Sequence, residues 1–489
     1  MKAKILFIIL CTSFILINIA QAKPEEKEAL TLLDEVFLKE SLKENPPSID
    51  RINANLFGAE AREKSLDDNF NTNLSASANY YDTKEKQFAT FIPVTSPTSN
   101  FDVTISRSFA PGVTVGVRGF SEKFSNNFVK DASTTGVSVQ LGFNIWKDLF
   151  AGMTKSELEK ARANTEQIKW QSDIAKKSFL NTLRKVYWSI VANEEALKVT
   201  SSLLDSSKKQ VVEAKRRFRN KIADEGELAR YQSQVASRQA SIVSLRYEKA
   251  SLVQTLKELI PHISLNRVEL KPYNIDNTIT RVLACTSVIA SNSSPPMDFT
   301  YYDEIVDLVD RQSKLETKVN NAYDDIDVKL QTEYGYKGRD NSRSDSLSNL
   351  SEDGRRNYGV GLTLSIPLEN KKKTTREILN KTTQLKYRSK KKEELGKVKA
   401  YHTQTVRQIS LLREIIRNQK ANTSFLKKSL KSSKRKYNQA RLNVQQLVQE
   451  QDAYLNSNLD EIRTKLAVIN TIFDYLSVYT ETPCELNNL

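Results

Sequence analysis

Two histidines and three cysteines in 489 residues leave little for chemistry. His262 follows Pro261 and His402 sits in a helical pattern, and no Cys/His pair has metal-ligand spacing. A phosphate-cradling glycine loop and a nucleophile elbow are also missing. The abundant carboxylates lie in helix-compatible stretches, where solvated ion pairs are the default. Catalytic, cofactor-binding and metal-binding residues are therefore all expected to be absent. Only 14 glycines and 12 prolines punctuate the chain, too few for a compact globule of many short elements. Beyond the first residues no run approaches the roughly 20 apolar residues of a membrane-spanning helix.

What is there begins with a leader. Lys2 and Lys4 precede an apolar run from Ile5 to Ile19, and Ala20-Gln21-Ala22 supplies small residues for cleavage, so 1–22 reads as a signal peptide. Cys11 invites a lipoprotein reading, but Leu10 stands where a small residue is needed and the apolar run continues past it. The net charge is +15 and mean hydropathy is −0.50. Lys and Arg are scattered among Glu and Asp in helical patterns, which describes solvated helix faces, and no nucleic acid partner is expected. The densest basic cluster, Lys386 to Lys392, is suited to anionic lipid or a partner.

The chain is written twice. Val360, Leu362, Leu364 and Ile366 alternate on one strand face, as Val137, Val139, Leu141, Phe143 and Ile145 do earlier. Asn73 to Tyr81 has its counterpart in Val328 to Tyr336. A long glycine-poor helical stretch follows each pair, broken once, near Phe218-Arg219-Asn220-Lys221 and near Tyr437-Asn438-Gln439-Ala440. The first repeat spans 23–261, with a tip turn at about 219–226. The second spans 299–480, with strands at about 328–336 and 358–366 and a tip turn at about 438–445. Lys271 to Pro296, within a connector at 262–298, reads as irregular, and 481–489 is a tail. The first copy also carries an additional hairpin at about 98–128, Phe101–Phe109 and Val113–Phe120 joined at Pro111-Gly112. A soluble hairpin on the helical side and an outward projection are both open for it.

Leu455, Leu459, Ile462, Leu466, Ile469, Phe473 and Leu476 alternate steps of four and three, a coiled-coil seam. Leu228, Val235, Ile242, Leu245, Leu252, Leu256 and Leu259 fall on the same lattice. Thr154 to Arg219 as one helix would reach about 100 Å. The strands match the length of a tilted membrane strand, and Tyr80, Tyr81, Phe143, Trp146, Tyr334, Tyr336 and Tyr358 stand at their ends as an aromatic girdle would. The same aromatics also suit a soluble sheet. Four spanning strands cannot close a barrel, and an open edge in lipid costs several kcal/mol for each unpaired backbone group, so copies must share one. Three copies would supply twelve strands.

In this order and duplication the chain resembles the TolC family of outer-membrane efflux and secretion channels. Val186-Tyr187-Trp188-Ser189-Ile190-Val191-Ala192-Asn193-Glu194-Glu195-Ala196-Leu197 is similar to the family's long-helix phrase. Gly361 to Leu368 is similar to its strand ending, and Tyr437 to Val448 to its turn and returning helix. The resemblance implies an α+β membrane protein, with a long α-helical coiled-coil barrel below a transmembrane β-barrel shared between three chains and an internal two-fold repeat. It also implies a homotrimer in outer-membrane lipid, with its helices in the periplasm, serving a periplasmic adaptor (membrane fusion) protein and an inner-membrane pump.

The resemblance also marks positions. Adaptors dock around the tip turns, where the family usually has glycine three residues after an aromatic. Lys221 after Phe218 and Ala440 after Tyr437 stand there, predicting more helical turns. Gln446 and Gln449 occupy the places where some members carry two aspartates that narrow the tunnel, implying a neutral constriction; ordinary polar helix surface is the alternative. The C-terminus would return to the belt around the connector, as a bridge between Cys285 and Cys484 requires; two separate thiols are the alternative. Competing architectures are a non-conducting periplasmic coiled-coil protein, which leaves the strand pairs unexplained, and an adaptor, which has one helical hairpin where this chain has two.

Overall fold

The structure is a computed structural model. It describes residues 30–479 except 86–93, 110–111, 127, 147–151, 262, 264–266, 292–299, 322–325, 352–354, 367 and 369–370. The leader, His262 and Cys484 therefore lie outside the described residues.

Two helices of 68 residues each dominate, α3 (Gly152–Arg219) and α8 (Lys371–Asn438), each about 100 Å long. Each folds back through a short turn into a returning helix, α4 (Glu225–Leu259) or α9 (Val444–Leu476). One constant offset in sequence relates the helix starts, the turns and the caps of the two copies. Shorter helices precede the strands: α1 (Glu35–Ser41), α2 (Pro47–Asp67) and, in the second copy, α6 (Tyr301–Asn321). Both α2 and α6 pack along α3, and α6 also packs along α8.

The seams read from the sequence are the packed faces. Leu455, Ile469, Phe473 and Leu476 are buried, as are Ile242 and Leu256, while Leu228, Val235 and Leu459 are half-buried. The main core joins α3, α8 and α9 through Leu183, Trp188, Ile409, Ile472 and Phe473. Inside it Glu35 accepts from Arg184 Nη2 and Trp188 Nε1, both at 2.8 Å, and the Arg184 guanidinium lies 3.9 Å from the Phe473 ring centroid. These contacts pin the start of the chain to the helices. His402, also buried, pairs its Nδ1 with the Tyr475 hydroxyl at 2.7 Å, so it belongs to the helix packing.

The connector is more ordered than its composition suggested. Arg267–Leu270 (β6) pairs in parallel with Leu30–Leu33 (β1), and Ile275–Ser291 forms a helix, α5. Ile275, Ile279, Val282 and Cys285 step by four and three and join the main core. Asn274 Oδ1 accepts from the Asn277 backbone at 3.0 Å at the helix start. The irregular reading of Lys271 to Pro296 gave way over Ile275–Ser291 because the apolar residues there keep helical spacing, and Thr278 and Thr286 are buried with them.

The strands form one antiparallel sheet of six, in the order β2 (Thr72–Tyr81), β3 (Thr98–Phe109), β4 (Val113–Phe124), β5 (Ala132–Asn144), β7 (Asp327–Asp340) and β8 (Arg356–Ser365). The additional hairpin is thus neither a soluble hairpin nor a projection. It is β3–β4, inserted edge to edge between β2 and β5. The count of four strands per chain is corrected to six among the described residues. The register explains why: every residue from Thr98 to Phe109 pairs with β4, and Thr72 to Tyr81 pairs along the other side of β3.

Candidate functional site

Two regions are candidates for function in this architecture, the faces of the sheet and the tips of the helical hairpins. On the sheet, alternation separates the faces. Across the six strands Leu74, Ile105, Val117, Val139, Tyr334 and Tyr358 form one continuous row. A parallel row on the same face runs through Phe109, Val113, Phe143, Leu330 and Leu362. This face is apolar and open, with Leu74 69%, Val360 71% and Tyr358 81% exposed, except at one end, where Arg343 and Ser346 of a short helix reach Ser99, Phe101 and Thr135. The opposite face carries Ser, Thr, Gly, Gln and Glu and curves around a cavity of about 1060 Å³, lined by Ser106, Gly116, Gln140, Gln331, Glu333 and Gly361, with Phe109, Val113, Phe143 and Leu330 also reaching it at the helix end. Apolar outside and polar around a cavity inverts a soluble sheet, whose apolar face turns inward. It is the arrangement of a barrel wall in lipid.

The helices α2, α3, α6 and α8 meet the sheet at one end. There β2 begins, β5 and β8 end and β7 begins, and the β3–β4 connection is a tight turn with Gly112 at φ 76° and its N–H on Phe109 O at 3.0 Å. Longer connections, 82–97, 125–131 and 341–355, lie at the far end. In the last of these a short helix, α7 (Arg343–Ser348), packs on the sheet through Ser346 Oγ, 2.7 Å from Thr135 Oγ1. Short turns on one side and longer loops on the other are also the habit of membrane barrels.

The tips repeat each other in detail. Lys221 and Ala440 take φ of 58° and 54°, the left-handed conformation that a glycine would supply. Ile222 N donates to Arg217 O and Lys221 N to Phe218 O, both at 2.9 Å. Arg441 N donates to Lys436 O at 2.8 Å and Ala440 N to Tyr437 O at 2.9 Å. Both turns are Schellman endings, so the expectation of more helical turns is corrected. The paired backbone bonds and the following caps impose the conformation even where a Cβ disfavours it. Asp224 Oδ1 accepts from Glu227 N at 2.7 Å, and Asn443 Oδ1 accepts from Gln446 N at 2.8 Å.

Of the residues singled out in the sequence, Tyr437 is buried and Phe218 is 41% exposed. Gln446 and Gln449 are exposed on one face of α9. Gln449 lines a groove of about 420 Å³ between α4 and α9, beside Arg230, Gln234 and Asp452. Cys285 is buried in the core and disulfide-bonded.

Sequence reasoning missed the network that joins the two hairpins. Arg217 Nη1 donates to Glu227 Oε1 at 3.1 Å and to the Tyr437 hydroxyl at 2.8 Å, and that hydroxyl donates to Glu227 Oε1. Tyr231 meets the Tyr437 ring edge-on at 6.0 Å. Burial, and then the hydrogen bond to Glu227, raise the Tyr437 phenol above its ordinary value and keep it protonated. Further up, Arg230 Nη1 donates to Gln445 Oε1 and Gln234 Nε2 to Gln451 Oε1, both at 2.8 Å. The available signal was the repeat itself, since Glu227 is the mate of Gln446 in the first copy.

Comparison with known proteins agrees with this geometry. Residues 99–261 match the family model described as "Outer membrane efflux protein". The chain has the fold of the TolC-like channels, and the resemblance read from its sequence is borne out. CusC, whose structures are described in terms of transmembrane channel formation, aligns with a TM-score of 0.66 at 11% identity, covering 95% of this chain and 96% of that one. The CmeC outer membrane channel of Campylobacter jejuni aligns at 0.59 and 14% identity, covering 94% and 90%. The open-state MtrE outer membrane channel of Neisseria gonorrhoeae aligns at 0.61 and 14%, covering 91% and 88%. No curated protein matches the sequence.

Proposed function

We propose that this protein is a trimeric outer-membrane channel-tunnel that carries substrates, delivered by an inner-membrane pump and its adaptor, across the periplasm and the outer membrane. The carrying observation is the sheet, whose apolar face is open and whose polar face surrounds a cavity, continued at one end by helices of about 100 Å. No described helix is long and apolar enough to cross a membrane, so insertion falls to the strands. Energy comes from the pump.

In this reading the tips are the adaptor-docking end. Phe218, Lys221 and Ala440 shape its surface, Tyr437 is buried in the packing that supports it, and the tunnel opens when the hairpins part there. Gln446 and Gln449 form a neutral constriction. Cys484 is the partner of Cys285, tying the C-terminal tail to α5.

The test is purification of the mature protein from outer membranes in detergent, with its mass and single-channel conductance. A conducting trimer is expected. A soluble monomer without conductance would overturn the reading in favour of a periplasmic coiled-coil protein.

A further inference from the structure

The β3–β4 hairpin obeys the same two-faced rule as the four strands around it. Its outward residues Phe101, Val103, Ile105 and Phe109 are all exposed, and Val117 beside them is 46% exposed. They continue the apolar rows of β2 and β5 without a break. Its inward residues Ser106, Ser108, Thr114 and Gly116 line the same cavity as Gln140, Gln331 and Glu333. Arg343 of α7 lies over the Phe101 ring, but an appendage in water would have no reason to leave Val103, Ile105, Phe109 and Val117 open on one face. With 12 residues in each strand it also has the length to span a membrane.

The two edges of the sheet are β2 and β8, 10 residues each. Leu74, Val360, Leu362 and Leu364 keep both edges apolar on the outward face, and no Lys, Pro or bulge blunts either one. Edges left so open in lipid would strand their backbone donors and acceptors. Matched lengths and matched faces fit each edge to the opposite edge of another copy.

We infer that β2 of one copy pairs with β8 of the next, and that three copies close an eighteen-strand wall, six from each chain, in place of the twelve that the family resemblance implies. The inference rests on the channel reading and deepens it. Barrel diameter grows roughly in proportion to strand number, so this wall is about half as wide again as a twelve-strand one. On the inward side the hairpin presents Thr104, Ser106 and Ser108, an ion pair between Asp102 and Arg118, and the Phe120 ring under the Arg118 guanidinium. The wider outer opening suits hydrated, bulky cargo.

The test has two independent readouts on the full-length mature protein. The first is the strand count in an electron cryomicroscopy map of the protein in nanodiscs. The second is labelling of single-cysteine variants in outer membranes with a membrane-impermeant maleimide. Eighteen strands are expected, with Val103→Cys and Ile105→Cys shielded and Thr104→Cys and Ser106→Cys labelled. A twelve-strand trimer in which all four positions label would overturn the wide wall and leave the channel standing. A monomer with no barrel would overturn both.

Discussion

Arg217, in the last turn of the first long helix, donates to the Tyr437 hydroxyl near the end of the second at 2.8 Å. Glu227, at the start of the first returning helix, takes both groups. Three elements from both repeats are thus held at one point on the tip, with Arg217 and Glu227 only 21% and 15% exposed. Any widening of the tip must separate them.

Glu227→Gln keeps the shape of the side chain and removes the charge. It should weaken the latch by about 1–2 kcal/mol, the range for hydrogen bonds to a partly screened charged group. Single-channel recordings should show a larger or more frequently open conductance than the wild type. An unchanged conductance would mean that the latch does not limit opening.

The turns themselves offer a change of opposite sign. Lys221 and Ala440 hold left-handed backbone at φ 58° and 54° despite carrying a Cβ. Lys221→Gly and Ala440→Gly should each stabilise the tip by about 0.5–1 kcal/mol, the relief of strain being partly offset by the freer unfolded chain. Hydrogen exchange at Ile222 and Arg441, whose amides close the two turns, should slow in the variants. Faster exchange would show that the side chains, and not the turns, carry the order.

How much of this was legible follows from range. The long helices, their breaks and their seams are written in local spacing, and Leu455 to Leu476 could be read without a partner. The strands were equally local, and their ends fell within a few residues of those observed. The place of β3–β4 was not legible, because alternation in Phe101–Phe109 is the same whether its neighbours are strands of the wall or water. Pairing with Thr72–Tyr81 and Ala132–Asn144 is a non-local fact. The helix at Ile275–Ser291 was hidden by its Ser and Thr, and the four-residue β1–β6 pair was too short to alternate. The latch was half legible: the repeat aligned Glu227 with Gln446, but nothing local says that Arg217 reaches Tyr437.

Alkaline pH should loosen the packing around Tyr273 and Tyr401 before it unfolds the chain. Tyr273 donates to Glu195 Oε1 and accepts from Lys198 Nζ, both at 2.8 Å, and burial heads the causes that push its phenol up to about 12. Burial likewise takes Tyr401 to about 12. A phenol raised in the folded state contributes its stability fully below pH 10. That contribution is lost as pH rises through about 12, because the unfolded chain gives up the proton first. Thermal melts should therefore fall between pH 10 and 12, and Tyr273→Phe should make the fall shallower. An identical pH profile in the variant would place the alkaline transition elsewhere.

The proposed constriction at Gln446 and Gln449 can be tested through charge. Gln446 and Gln449 are exposed on one face of α9, one turn apart. Three copies would bring six neutral amides together where carboxylates would form an attracting ring. Gln446→Asp with Gln449→Asp places six carboxylates there, and cations should concentrate in the narrow, poorly screened entrance. Folding should tolerate the change, since Gln446 lies in the first turn of α9, where a negative charge is favourable to the helix, and neither side chain is buried. In a salt gradient across a planar bilayer the reversal potential should move towards the cation equilibrium, and less so at high salt, as screening requires. If the reversal potential of the double variant stays with the wild type at low salt, these glutamines face outward and the constriction lies at another level, for which the Arg217, Glu227 and Tyr437 latch is the next position to change.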